Sequence, residues 1–526
     1  MNRERGVRLA SPVPRLPLQV CSSLYAPPLL AVCLGMMACA PAPASTGPTS
    51  PSGPTSPSGT PSLGPMPIVL VSLDTLRADR LGAYGNPDGL TPNLDRFVSE
   101  AVVFDHVYSQ AIHTAPSHGS VFTGHYSGEQ LTADNKTVLP ASHRTLAEVL
   151  GIYGYQTAAY VAGGDLSPER KLGRGFETYV STDSFDSLYH TMPGALEWLD
   201  KVDAARPWFL FLHGYDLHSS YVRPAPYGYL HADMAYTGTG LQVGRSTPDR
   251  VVDGHVYPGF GGLLTSLAEV VRPRDPANRA EVAEILGTPD PVISFTDADR
   301  AHVAGVYDGA VSYADTMFGT FMSGLNARGL LDRAAVVVMS DHGEQLGERG
   351  AFGHCCGLED EETHVVLMVR LPGGAHGGRH EPGVAELLDV MPTLVEMAGG
   401  TPPADIAGRS FLSAVRQEPW TPRTYAHTEG DRLLREVSVR TLEGRLSYTG
   451  LAANAPFTPS LIAAARLDGP GFTATAGLSE TQRAPMRDEL VRWLRERDAA
   501  AGLTATPTSD ALKQEMRAHG YFEAGP

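Results

Sequence analysis

Lysine is nearly missing from this 526-residue chain: Lys136, Lys171, Lys201 and Lys513 are the only four, and arginine supplies the rest of the 41 basic residues. Against 58 acidic residues this leaves a formal net charge of −17. So few cations exclude a nucleic-acid binder, which needs a basic face to displace condensed counterions. Cysteine is scarce too. Cys21, Cys33, Cys39, Cys355 and Cys356 show neither a zinc-site spacing nor a disulfide framework. A bridge between the neighbours Cys355 and Cys356 would be strained, so two thiols are expected there. No apolar run has the length of a stable membrane span. What is present, 42% hydrophobic and 19% charged residues, suits a globular protein that can bury a large core without staples.

The N-terminal part reads as address and tether. Arg3, Arg5, Arg8 and Arg15 precede an apolar run from Leu29 to Ala38, the pattern of a secretory signal over residues 1–38. The run ends Met36-Met37-Ala38-Cys39, which resembles a bacterial lipobox and makes Cys39 the candidate lipidation site. Residues 39–66 form a charge-free Pro/Ser/Thr/Gly tract that repeats Gly-Pro-Thr-Ser-Pro-Ser. Such a tract buries no core and acts as a disordered tether. The expectation is an exported bacterial lipoprotein, membrane-anchored and facing the periplasm or the cell surface.

From residue 67 the chain alternates short β-branched runs with helical patterns. Ile68–Leu73, Tyr155–Val161, Trp208–Leu212, Ala335–Met339 and Val365–Leu371 read as strands. Leu94–Ala101, Ser117–Thr123, Thr145–Gly151, Gly194–Ala204 and Ala301–Asn326 read as helices. The alternation predicts an α/β fold with a mostly parallel sheet between helices. Residues 67–415 are the expected catalytic domain. Within it, 225–297 are rich in Gly, Pro and Asp and read as an insertion or lid. Residues 416–526 are the expected C-terminal subdomain, with a small antiparallel sheet around Ser438–Arg440 and Leu446–Tyr448 and a helix over 480–500.

In a parallel sheet the site gathers at the carboxyl ends of the strands. Three runs end in polar chemistry there: Asp74 after the first, His213 and His218 after another, Asp341 and His342 after a third. Carboxylates with an imidazole suit Zn²⁺ or Mn²⁺. Thr114 precedes Ala115-Pro116-Ser117-His118, and Pro116 suits a helical first turn. The Thr114 hydroxyl would then sit at a helix N-terminus, where N–H groups favour an anion.

These segments together resemble the sulfatase family of the alkaline phosphatase superfamily. The matching stretches are Val71–Asp79, Leu81–Gly85, Thr91–Asp95, Thr114–Ser120 with Thr123-Gly124, Phe211–Tyr221, Ser340–Glu344, Gly353-His354 and Asp389–Thr393, in family order. The resemblance implies an alkaline-phosphatase-like fold and one divalent metal ion (Mn²⁺, Zn²⁺ or Ca²⁺) on Asp74, Asp341, His342 and Thr114. It implies Thr114 as nucleophile, His218 and His354 on the transferred group or the leaving oxygen, and His118 where the family places an arginine beside the nucleophile.

The chain departs from the family in three places. The family's Cys/Ser-x-Pro-x-Arg reads Thr-Ala-Pro-Ser-His, and threonine is not expected to become formylglycine. The paired aspartates after the first strand read Asp74-Thr75. No lysine stands at a motif position, unless Lys136 reaches in from a loop. The reading is therefore a metal-dependent hydrolase of sulfate or phosphate/phosphonate esters acting through a threonine. The alternatives are a phosphoryl-group transferase on envelope lipid or glycan, and a catalytically inactive binding lipoprotein of the same fold. The expected partners are the ester substrate and a membrane through the lipid anchor, with no nucleic acid.

Overall fold

The computed structural model describes residues 65–127, 138–182, 187–218, 221, 223–233, 235–236, 250–252, 255–257, 296–348, 352–354, 357–430, 436–449, 459–464, 467 and 472–500. The signal and tether readings, Cys39, Lys136, Cys355, Cys356 and most of the expected lid lie outside these residues.

Eight strands form the central sheet: β1 (Ile68–Leu73), β2 (Val102–Tyr108), β3 (Gln156–Val161), β4 (Thr178–Ser181), β5 (Trp208–Gly214), β6 (Ala335–Met339), β7 (Leu367–Arg370) and β8 (Arg379–Glu386). Their spatial order is β8-β2-β7-β6-β1-β5-β3-β4. All pairs are parallel except those of β7, which runs antiparallel to both β6 and β2. The expected mostly parallel sheet is therefore present.

Every residue of β1 is buried, because the sheet is covered on both faces. Side chains divide by the strand's period of two. Val69, Val71 and Leu73 face one core with α1 (Pro92–Val98), α4 (Leu188–Leu199) and α5 (Asp297–Ala327). Ile68 and Leu70 face the other, with α2 (Thr114–Thr123), α3 (Leu146–Ile152) and α6 (Val390–Met397). The long α5 starts in a full capping box, with Thr296 Oγ1 accepting from the Asp299 N–H and Asp299 accepting from the Thr296 N–H.

A second, antiparallel sheet joins β9 (Ala426–Glu429), β10 (Glu436–Thr441), β11 (Gly444–Thr449) and β12 (Phe472–Ala474). The helix α7 (Glu480–Ala500) packs on it through Leu490, Trp493 and Leu494. Both elements match the sequence reading of the C-terminal part.

Topology decides which segments meet. β6, β1 and β5 are adjacent and parallel, so Asp341, Asp74 and His213 emerge on one edge. Two antiparallel steps, β6 to β7 and β7 to β2, restore the direction of β2. Its carboxyl end therefore also points to that edge and delivers the loop that leads into α2.

Candidate metal and nucleophile site

β1 ends in Asp74-Thr75, where the chain turns sharply. Thr75 has φ = 57°, a left-handed conformation that costs a β-branched residue about 1–3 kcal/mol. The turn aims the Thr75 N–H at Asp341 Oδ1, 3.2 Å away, and the Thr75 carbonyl accepts from Tyr307 Oη at 2.7 Å. Asp341 Oδ1 also accepts from the His342 N–H at 2.9 Å. One oxygen of Asp341 is thus fixed by two backbone donors. The other, Oδ2, is buried without a hydrogen-bond partner.

Asp74 and His342 follow the same plan. Asp74 Oδ2 accepts from Thr114 Oγ1 at 3.1 Å and from His213 Nε2 at 3.3 Å, while Oδ1 is left without a partner. His342 Nδ1 donates to the Gly343 carbonyl at 2.9 Å, which leaves a lone pair on Nε2. That atom too is buried without a hydrogen-bond partner and lies 3.5 Å from Asp341 Oδ2. One ligand atom from each of Asp74, Asp341 and His342 lies within 4.8 Å of the others. Leaving such atoms unpaired costs several kcal/mol each unless a cation meets them. Two carboxylate oxygens and one imidazole nitrogen, each oriented through its other atom, fit a divalent metal ion.

The electrostatics agree with that assignment. Burial and the neighbouring Asp341 charge push the Asp74 carboxyl well above the usual carboxylate range. Burial acts on Asp341 in the same direction, but His342, His118 and His213 in their charged forms, with the Thr75 N–H, outweigh it and hold that carboxyl at about 2. The two ligands thus oppose each other's charge.

Thr114 is the first residue of α2 and is 2% exposed, with the hydroxyl on Asp74. The preceding His113 has no capping hydrogen bond, so the first N–H groups of the helix stay open toward the site. Ser117 Oγ ties the helix to β6 by donating to the Asp341 carbonyl at 2.8 Å. His118 does not touch the Thr114 hydroxyl. Its Nδ1 donates to the Thr114 carbonyl at 2.8 Å, and its Nε2 meets Ser72 Oγ at 2.9 Å. Burial lowers the His118 pKa, consistent with a neutral ring that accepts from Ser72. His118 therefore braces the first turn of α2 against β1.

The remaining histidines gather around His354. Its ring centroid lies 4.6 Å from that of His342, 5.1 Å from His218 and 5.7 Å from His113. Its Nδ1 faces Glu344 Oε1 at 3.3 Å. Glu344 is fully buried, and burial pushes its carboxyl up to about 7 against the pull of His218 and His342. Arg77 and Asp79 form an ion pair with contacts of 2.9 and 2.7 Å. Arg77 also holds the Glu344 carbonyl at 3.0 Å. The structure thus brings Asp74, Thr114, His118, Asp341, His342, His218 and His354 to one edge. Sequence reasoning passed over His113, Asp165 and Tyr215. The interval between His213 and His218 was the available signal for Tyr215.

The sulfatase family model matches residues 67–400. The chain is 24% identical over 430 residues to the multifunctional alkaline phosphatase superfamily protein PehA of Trinickia caryophylli, covering 69% of this chain and 80% of that one. It is 24% identical over 403 residues to an arylsulfatase of Clostridium perfringens, covering 69% and 81%. The fold resembles the phosphonate monoester hydrolase of Agrobacterium radiobacter with a TM-score of 0.60 at 17% identity, covering 83% of this chain and 96% of that one.

Proposed function

Because this chain belongs to the sulfatase family, a family of ester-bond hydrolases, we propose that it cleaves sulfate or phosphate/phosphonate esters with a divalent metal ion and Thr114 as nucleophile. One observation carries the reading: three buried ligand atoms without hydrogen-bond partners converge beside the Thr114 hydroxyl. That arrangement is costly when empty, which supports an ion there.

Asp74, Asp341 and His342 would hold the ion, with Thr114 as fourth ligand. When bound, the ion supplies Lewis acidity toward a non-bridging oxygen of the ester and lowers the pKa of a hydroxyl. The protein's own groups do the rest. Asp74 Oδ2 orients the Thr114 hydroxyl. The open N-terminus of α2 favours the negative charge of the transferred group. His354, beside Glu344, and His218 would face that group or the leaving oxygen and donate a proton to it. A threonyl ester lacks the second hydroxyl of a hydrated aldehyde, so water must release the group by attack at sulfur or phosphorus.

The test is turnover of aryl sulfate, phosphate monoester, phosphodiester and phosphonate monoester by the purified protein with Mn²⁺, Zn²⁺ or Ca²⁺. Metal-dependent turnover of at least one is expected. No turnover and no bound metal would sink the reading. The N-terminal composition supports the further proposal that Cys39 carries a lipid anchor. Cys39→Ser is expected to move the protein from the membrane to the soluble fraction, and an unchanged distribution would overturn that.

A further inference from the structure

We infer that His213 is a positioning residue for the ion site: its Nε2–H holds Asp74 Oδ2 and so presents Asp74 Oδ1 to the ion. The inference rests on Asp74 being a metal ligand.

His213 is the last residue but one of β5 and is fully buried. In the parallel register it stands opposite Ser72 of β1. The pairing runs further, because the Asp74 N–H donates to the Gly214 carbonyl at 3.2 Å. Asp74 is thereby held beside the end of β5. Three rings pack around the imidazole. Phe211 lies nearly parallel to it at 6.3 Å and 28°, while His118 and Tyr215 meet it edge to face at 5.2 and 4.7 Å. The His213 carbonyl accepts from Thr191 Oγ1 of α4 at 3.1 Å. Backbone and ring are both held, and Nε2 lies 3.3 Å from Asp74 Oδ2.

A carboxylate that binds a cation is ionised and can only accept hydrogen bonds. Nε2 therefore carries the imidazole proton and donates it to Oδ2. The Thr114 hydroxyl donates to the same oxygen at 3.1 Å. Oδ1 has no hydrogen-bond partner. Two donors on Oδ2 and none on Oδ1 decide which oxygen is free for the ion, in the way that outer partners orient metal ligands. Thr114 cannot fill this part by itself. In a threonyl ester its oxygen carries no proton, and His213 is then the donor that keeps Oδ2 in place.

Packing does not account for a histidine here. Phenylalanine would fill the same slot between Phe211, His118 and Tyr215 without burying two ring nitrogens. With the proton on Nε2, Nδ1 is an acceptor, and among the described residues no donor meets it. The chain keeps a buried polar ring where an apolar one would be more stable, and the contact it gains is the one to Asp74.

The experiment titrates Mn²⁺ and Zn²⁺ into the full chain as wild type, His213→Phe, His213→Gln and Asp74→Asn, and records thermal melts of each in chelator. His213→Phe is expected to weaken metal binding about 10- to 100-fold. In chelator it should melt at or above the wild type, since the slot stays filled. His213→Gln offers an amide N–H at a reach similar to that of Nε2 and should recover part of the affinity. Wild-type affinity in His213→Phe, with binding lost in Asp74→Asn, would overturn the role of His213 and spare the ligand. Equal losses in His213→Phe and His213→Gln, with both melting below the wild type in chelator, would make the ring a packing element and overturn the role as well. No metal bound by the wild type, or wild-type affinity in Asp74→Asn, would overturn the ligand reading itself. Should His213→Phe fail to fold, nitrogen NMR of the Zn²⁺-bound wild type decides. A proton on His213 Nε2 supports the role, and a proton on Nδ1 with a bare Nε2 rejects it.

Discussion

Thr114 Oγ1 donates to Asp74 Oδ2 across 3.1 Å, although the two residues lie 40 positions apart. The contact joins the start of α2 to the end of β1 and places a hydroxyl beside a ligand of the candidate ion. Thr114→Ala deletes that hydroxyl while its backbone stays within α2. The expected loss in kcat is about 1,000-fold or more, with KM little changed, because a missing nucleophile is felt mainly in the chemical step. Thr114→Ser restores an oxygen at the same place and should recover part of the rate. Steady-state kinetics of the three proteins on one aryl ester check both expectations.

The opposition between Asp74 and Asp341 predicts a reversal of stability. In chelator, burial and the Asp341 charge oppose the ionised Asp74 carboxylate. Asp74→Asn removes that repulsion, so the chelated variant should melt at or above the chelated wild type. With metal the order should invert. An ion at 100 times its dissociation constant stabilises the native state by about 2.7 kcal/mol. The variant, missing one ligand, binds too weakly to share that gain. Thermal melts of both proteins, with and without chelator, read the crossing. Parallel shifts would show that Asp74 holds no metal.

The sequence made one edge of this site legible and hid the other. Ile68–Leu73, Trp208–Leu212 and Ala335–Met339 are buried on both faces, so they read as apolar runs and their polar endings as site residues. β2 carries Asp105 and His106 in its middle, and β8 is polar over Arg379–Glu381, so neither reads as a strand. Yet β2 is the strand that brings Thr114 to the site. The antiparallel course of β7 was equally hidden, since an apolar tetrapeptide has no direction. Tyr215 was lost for a different reason. A tyrosine at the end of an apolar strand reads as packing until the loop at Asp165 is folded against it.

Gly343, in the Asp-His-Gly segment, is required by its surroundings rather than by its own flexibility. A Cβ at this position would stand 2.0 Å from the Glu361 carbonyl oxygen, and the Gly343 N–H donates to the Glu362 carbonyl at 2.8 Å. Its own carbonyl accepts from His342 Nδ1. Gly343→Ala must therefore displace the peptide that orients His342. A loss of about 3 kcal/mol in stability is expected, the upper end of ordinary single substitutions. Metal affinity should fall with it, through the lost orientation of Nε2. Chemical denaturation in chelator and metal titration separate the two effects. A variant with wild-type metal affinity would show that the Gly343 carbonyl is not what holds the imidazole.

His427 supplies the pH dependence with the clearest sign. It lies on β9, 4% exposed, with Nδ1 facing Glu386 Oε1 at 3.3 Å and Nε2 facing Glu489 Oε1 of α7 at 3.0 Å. Its ring stacks on Trp493 of the same helix at 4.9 Å and 21°. Burial works to lower the His427 pKa, but the hydrogen bonds to both carboxylates outweigh it and raise it above the usual value. Arg423 bridges two carboxylates, at 2.8 Å from Nε to Asp389 Oδ2 and 2.8 Å from Nη1 to Glu386 Oε2. Tyr126 donates to Glu386 at 3.1 Å, and Arg492 contacts Glu489. A group whose folded pKa is raised contributes stability that is complete below its unfolded value, about 6.5 for histidine, and is lost as pH rises through the folded value. Toward acid, Glu489 holds its charge until about pH 2, because its hydrogen bonds to His427 and Arg492 overcome burial. The stability advantage of wild type over His427→Gln should therefore be flat between about pH 5 and 6.5 and decline above that. Thermal or urea unfolding of both proteins from pH 5 to 9 measures it. A difference that stays constant over that range would mean that His427 is held neutral and adds no charged contact to the docking of α7.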